Sequence, residues 1–150
     1  MIYSAYRLSR RTIYVVDERE DLAALLTRAS RRLIAAERPL LAGRGLTMWG
    51  YIVLTQLTRG PAPTQLALAT AVGHDKTRLI ALLDELEREG LVTREPDPSD
   101  RRARIVHITP RGRERHASAL ADIRAMEDEV LGALSARERE TLLAVLPRLA

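Results

Sequence analysis

Cysteine and phenylalanine are both absent from the 150 residues, and aromatic side chains make up only 3% of them. Without cysteine, disulfides, thiolate zinc sites and thiol redox sensing are excluded. With so few rings, the 46% of hydrophobic residues must build a core from Leu, Ala, Val and Ile, which suits packed helices better than a β-sandwich. No apolar run approaches the roughly 20 residues of a membrane span, and no stretch has the layout of a cleaved signal peptide. The expectation is a cytoplasmic protein without a membrane partner. His74, His107 and His116 do not stand at i, i+4 spacing, so no metal site is expected. No Ser-His-Asp, paired-carboxylate or phosphate-loop pattern appears either, so we expect neither catalysis nor a cofactor.

Lysine is also nearly missing: of 24 Lys and Arg residues, only Lys76 is lysine. The formal net charge of +4 and the pI of about 10.1 permit nucleic-acid binding without demanding it. Distribution says more than count. Between positions 101 and 115 stand Arg101, Arg102, Arg104, Arg111, Arg113 and Arg115 against only Glu114, a local positive patch.

The stretch from Asp75 to Thr109 organises the rest. Its first part, DKTRLIALLDELEREG, puts Leu79, Leu82, Leu83 and Leu86 on one stripe, while Lys76, Thr77, Arg78, Ala81 and Arg88 face elsewhere. This predicts a helix with one side for a core and one for a partner, stopped by Gly90. Two short β-branched runs, LVTRE and IVHIT, then flank PDPSDRRAR, which predicts a hairpin with an extended tip. Upstream, Pro63 and Thr64 open another helix, with Thr64 as N-cap and Leu66, Ala67, Ala69 and Ala71 as a small-residue face. Val72, Gly73 and His74 form the turn between the two. Such a pair reads as a helix-turn-helix whose second member enters the major groove, with a plain αα-hairpin as the alternative.

The flanks are helical. Residues 1–16 hold three of the four tyrosines and show no helical period; a basic arm, a dimer contact and an overlong start are the readings, with disorder the expected state. From Asp17 onward, Leu22, Leu25, Leu26, Ala29, Leu33, Ile34, Leu40 and Leu41 mark a long amphipathic helix. About 24 residues at ~1.5 Å each span ~36 Å, longer than a lone small core needs, so part of its apolar face is expected to meet another subunit. Gly43 and Gly45 end it, and LTMWGYIVLTQL (46–57) forms the next helix. Thr109 with Pro110 starts a helix through about Ala133, carrying Leu120, Ile123, Met126, Val130 and Leu134 on one side. Ser135 and Glu138 make a capping-box pattern for a last helix with Leu142, Leu143, Val145, Leu146 and Leu149. The expected fold is therefore mainly α with a small β-hairpin wing. A winged helix-turn-helix core, 46–109, stands between helical dimerisation regions, 17–45 and 110–150.

Four motifs carry a resemblance: LTxxxYxVLxxL from Leu46 to Leu57, a Leu-Ala pair at Leu66–Ala67, LxxLExxGLV from Leu83 to Val92, and DxRAxxVxIT with a following glycine from Asp100 to Gly112. Over roughly residues 20–149 the chain resembles the multiple-antibiotic-resistance regulator (MarR) family. The resemblance implies a homodimer that grips a near-palindromic operator in double-stranded DNA, one helix and wing per half-site. It places the wing arginine at Arg102 and at Asp75 an acid that pairs with it. It also implies a small lipophilic or phenolic ligand in a cleft beside the second helix, where Met48, Trp49 and Tyr51 stand. Core packing is the plainer fate of those three, an N-cap that of Asp75, and solvated charge that of Arg101 and Arg104.

Groove dimensions support the same roles. A helix fits a major groove ~12 Å wide, and a slender arginine loop suits a minor groove of ~6 Å. Lys76, Thr77, Arg78 and Ala81 are expected on the major-groove side and Arg102, with Arg101 beside it, in the minor groove; Thr64 and Arg104 complete the expected DNA-binding residues. Gly50 and Ala81 depart from the family pattern; at Ala81 only van der Waals contact with a thymine methyl is available. Three readings follow: a ligand-released DNA-binding repressor, a winged-helix regulator without a ligand, and a winged-helix protein-interaction module.

Overall fold

Residues 20–62, 64–100 and 103–149 are described by the computed structural model. The expected arm, 1–16, lies outside them, as do Arg101 and Arg102. The described elements are α1 (Leu22–Gly43), α2 (Met48–Thr58), α3 (Gln65–Val72), α4 (Lys76–Arg88), β1 (Val92–Pro96), β2 (Arg104–Ile108), α5 (Pro110–Val130) and α6 (Ala136–Val145). Single 3-10 turns, Leu131–Ala133 and Leu146–Arg148, follow the last two. Mainly helical, with one antiparallel hairpin, this is the expected architecture.

Each helix begins where the sequence supplies an acceptor for its otherwise orphaned amides. Asp21, Thr47, Thr64, Asp75, Thr109 and Ser135 are the six N-caps, each accepting a backbone N–H from the first turn. The expected capping box closes reciprocally: the Ser135 N–H donates to Glu138 Oε2 at 2.8 Å, and the Glu138 N–H to Ser135 Oγ at 3.4 Å.

Between these starts, leucine spacing decides what is buried. Leu79, Leu83 and Leu86 of α4 are sealed against Val53, Leu54 and Leu57 of α2, Leu91, Val92 of β1 and Val106 of β2, while Ala119 and Ile123 bring in α5. Leu41 is the one buried residue of α1, so most of that helix's apolar stripe is left outside the core. The hairpin pairs Val92 with Ile108, Arg94 with Val106 and Pro96 with Arg104.

Three features differ from the sequence reading. In α3 the buried pair is Leu68–Ala69, whereas Leu66 is 58% exposed and Ala67 and Ala71 face solvent. A helix of eight residues makes little more than two turns, so alternating Leu and Ala present two faces of similar polarity; packing on α2 and β2 selects Leu68. Of the small-residue face read from the sequence, only Ala69 enters the core. Second, Ala62 joins the hairpin, exchanging both backbone bonds with Val106 at 3.0 and 2.9 Å. The run is too short and proline-flanked to read as a strand. Third, α5 ends at Val130 rather than about Ala133, and Leu134 beyond it is exposed.

Where the hairpin returns to the core, backbone atoms of two elements nearly touch. The Thr109 hydroxyl lies 2.7 Å from the Gly90 carbonyl and 3.1 Å from that of Leu91, and it accepts the Gly112 N–H at 3.0 Å. Gly112 is there because a Cβ would stand 2.1 Å from the Leu91 carbonyl oxygen.

Candidate nucleic-acid interface

The helix expected to enter the major groove is α4, and its N-terminus is set by the turn before it. Gly73 adopts φ +66, and its N–H returns to the carbonyls of Ala69 and Thr70, closing α3 in a left-handed cap. Asp75 then caps α4: its Oδ1 accepts the amides of Thr77 and Arg78 at 3.0 and 3.1 Å. With Leu79, Leu83 and Leu86 turned into the core, Lys76, Thr77, Arg78 and Ala81 all face solvent on the opposite side. That is the face expected for them.

Thr64, Gln65, Leu66, Lys76, Asp100, Ala103 and Arg104 line one open depression where the N-terminal ends of α3 and α4 meet the wing. Three predicted residues from three elements, Thr64, Lys76 and Arg104, are therefore brought together. Gln65 and Leu66 join them unforeseen. Most exposed large apolar side chains sit at the chain ends, on α1 and from Leu134 onward; Trp49 and Leu66 are the exceptions among the described residues. The signal that could have found Leu66 is the lack of a core partner at its helical phase.

The wing is stiffened at both ends. At its tip Asp97 Oδ1 accepts the Ser99 amide at 2.7 Å and the Ser99 hydroxyl at 2.6 Å, and these bonds hold the Asp97 carboxyl below the usual carboxylate range. At its base Arg94 joins β1 to α4. The Arg94 amide donates to Glu87 Oε1 at 3.2 Å, its Nε donates to Glu87 Oε2 at 3.0 Å, and its Nη2 reaches Glu87 Oε2 and, at 2.6 Å, Asp84 Oδ1. The guanidinium holds the Glu87 carboxyl below its ordinary range. Sequence reading had passed over this arginine.

Among the described residues, the arginines read as one positive patch between 101 and 115 do not share one surface. Arg115 pairs with Glu89 at 2.7 Å, tying α5 to the end of α4, and Arg111 and Arg113 stand on the first turn of α5, at the base of the hairpin away from its tip. Arg44, in the loop before α2, binds Asp122 of α5 through two bonds of 2.6 and 2.9 Å.

Of the three residues read as a ligand site, Met48 and Tyr51 pack partly buried against the core. Tyr51 stacks on His116 with ring centres 5.2 Å apart, and burial pushes its phenol up. His116, 7% exposed, donates from Nε2 to the Thr55 hydroxyl at 3.0 Å, because that hydroxyl's own proton goes to the Tyr51 carbonyl. Burial lowers the His116 pKa. Trp49 instead stacks on His74 of the α3–α4 turn, with ring centres 4.0 Å apart and planes 18° from parallel. As the sole tryptophan, it reports on that turn. His74→Ala is expected to shift Trp49 emission to the red while costing about 1 kcal/mol of stability; an unchanged emission spectrum would mean the stack does not persist in solution.

A helix-turn-helix with a solvated basic reading face and an attached hairpin defines a winged-helix regulator. The family model for the MarR family matches residues 44–103. The transcriptional regulator HosA of Escherichia coli O111:H- is 34% identical over 104 residues, covering 69% of this chain and 77% of its own. Among solved structures, the transcriptional repressor CouR bound to a 23-mer DNA duplex matches with a TM-score of 0.74 and 33% identity, covering 86% of this chain and 92% of that one. CouR from Rhodococcus jostii bound to p-coumaroyl-CoA matches at 0.70 with 28% identity over 87% and 92%. This chain belongs to the MarR family of transcriptional regulators.

Proposed function

We propose that the protein is a homodimeric repressor that binds a near-palindromic operator in double-stranded DNA and is released by a small lipophilic or phenolic ligand. The observation that carries this is the convergence of Thr64, Lys76 and Arg104 from three elements beside the exposed Thr77, Arg78 and Ala81. In this reading 46–109 reads DNA, while 17–45 and 110–150 pair the subunits. Exposed Leu22, Leu25 and Leu26 of α1 and Leu142, Leu143 and Leu149 at the other end support the pairing. The ligand reading draws support from CouR and its acyl-CoA. Asp75 caps α4 through Oδ1, and Oδ2 is the atom through which it would steer Arg102. The protein is a non-enzymatic, cytoplasmic DNA binder.

A duplex enriched by selection with the wild-type protein provides the test. Arg78→Ala is expected to change which base pairs are preferred. Arg102→Ala, and to a lesser degree the Arg101 and Arg104 variants, should weaken binding to every duplex and reduce the salt slope by about one. Equal losses on selected and random duplex for Arg78→Ala and Arg102→Ala would show the reading face to be misplaced. Absence of salt-dependent DNA binding by the wild type would leave the protein-interaction reading. Release of bound duplex by p-coumaroyl-CoA or a simple phenolic acid separates the ligand-responsive repressor from a regulator without a ligand.

A further inference from the structure

We propose that Arg94 is a positioning residue that locks the wing at a fixed inclination to the reading helix, so that one rigid unit engages both grooves. The proposal rests on the DNA-binding reading and adds to it a joint between the two parts that touch DNA.

Three observations meet at Arg94. Its guanidinium spans Asp84 and Glu87, two acids one turn apart on α4, and its side chain is only 19% exposed. With both carboxylates engaged, Arg94 has little left to offer a phosphate. Glu87 also accepts the Arg94 backbone amide, so α4 grips the strand itself as well as its side chain. Finally, the residue opposite Arg94 in the hairpin is Val106, fully buried and bonded on its other side to Ala62. The clamp therefore acts where the second strand is already fixed to the core, and β1 has no freedom to pivot about it. A fork of charge-assisted bonds is directional, which is what an angle between two elements requires.

The sign of one substitution separates this joint from simple electrostatics. Asp84 and Glu87 lie on the reading helix, so removing either negative charge should strengthen binding to a polyanion if charge were all that mattered. If the clamp sets the angle, Glu87→Gln and Asp84→Asn weaken binding despite the more positive surface. We expect Glu87→Gln and Arg94→Gln each to lose on the order of tenfold in affinity for the selected duplex, in keeping with the loss of charge-assisted bonds. Hydroxyl-radical footprints should lose protection of the flanking minor grooves before dimethyl-sulfate protection of guanine N7 in the central major grooves is lost. Arg94→Lys keeps the charge but not the fork, and should resemble Arg94→Gln in its footprint with less effect on the unfolding midpoint.

Two outcomes overturn the proposal. Glu87→Gln binding as tightly as wild type, or more tightly, would make the cluster a surface charge arrangement. Loss of central and flanking protection together in Arg94→Lys, with its midpoint unchanged, would show that no separate wing angle is being held. Failure of the wild-type protein to bind the duplex would instead count against the functional reading.

Discussion

Replacing Gly112 by alanine is expected to lower stability by about 3 kcal/mol. For a chain of this length the corresponding fall in the unfolding midpoint is roughly 6–12 °C. The effect runs against local preference. Inside a helix alanine is favoured over glycine by about 1 kcal/mol, so a neutral site would be stabilised. Here the new Cβ would stand 2.1 Å from the Leu91 carbonyl oxygen and 2.9 Å from Ile108 Cγ1, and the first of these is backbone that cannot swing aside. Relief requires α5 to lift from the α4–β1 junction, which also breaks the bonds of Thr109 to Gly90 and Leu91. Thermal unfolding followed by circular dichroism decides it. A stabilised Gly112→Ala would mean that α5 does not approach the junction as closely as described.

The second large effect concerns pairing. Leu143→Glu should leave each subunit folded and separate the dimer, because Leu143 is 54% exposed and no residue of α6 is buried within the subunit. An unpaired carboxylate within the proposed apolar contact would cost several kcal/mol. Operator affinity should then fall on the order of a hundredfold or more, since two half-sites would no longer be held by one molecule. Sedimentation and operator titration of the same sample measure both halves of the claim. A Leu143→Glu protein that sediments as a dimer and binds normally would place the interface elsewhere.

How much was legible beforehand depended on the distance over which each feature is determined. Helix starts were readable because a cap is a local matter: Thr64, Thr109 and Ser135 each satisfy an amide within three residues. The stripe of Leu79, Leu83 and Leu86 was readable because an amphipathic period over 13 residues leaves one choice of face. In eight-residue α3 that period is too short to choose, and of the small-residue face read as Leu66, Ala67, Ala69 and Ala71 only Ala69 is buried, beside Leu68. The exposed reading face of Lys76, Thr77, Arg78 and Ala81 followed from the stripe behind it. The Arg94 clamp did not follow from anything local. Its partners Glu87 and Asp84 are 7 and 10 positions away, and among so many arginines nothing in the sequence singles out the one that bridges two acids. The expectations for Arg101 and Arg102 concern residues outside those described.

The exposed apolar faces belong to α1 on one side of the reading unit in the chain and to the segment from Leu134 to Leu149 on the other. Synthesis runs in that order, and domains generally fold as their residues emerge. The helix-turn-helix, the wing and the part of α5 that closes their core therefore precede α6, and the surface proposed to join two subunits is finished last. If the flanks pair the subunits as proposed, a chain interrupted or clipped before α6 would carry the reader without the means to hold two half-sites, and competent grip on an operator would be reserved for chains in which both flanks have been translated.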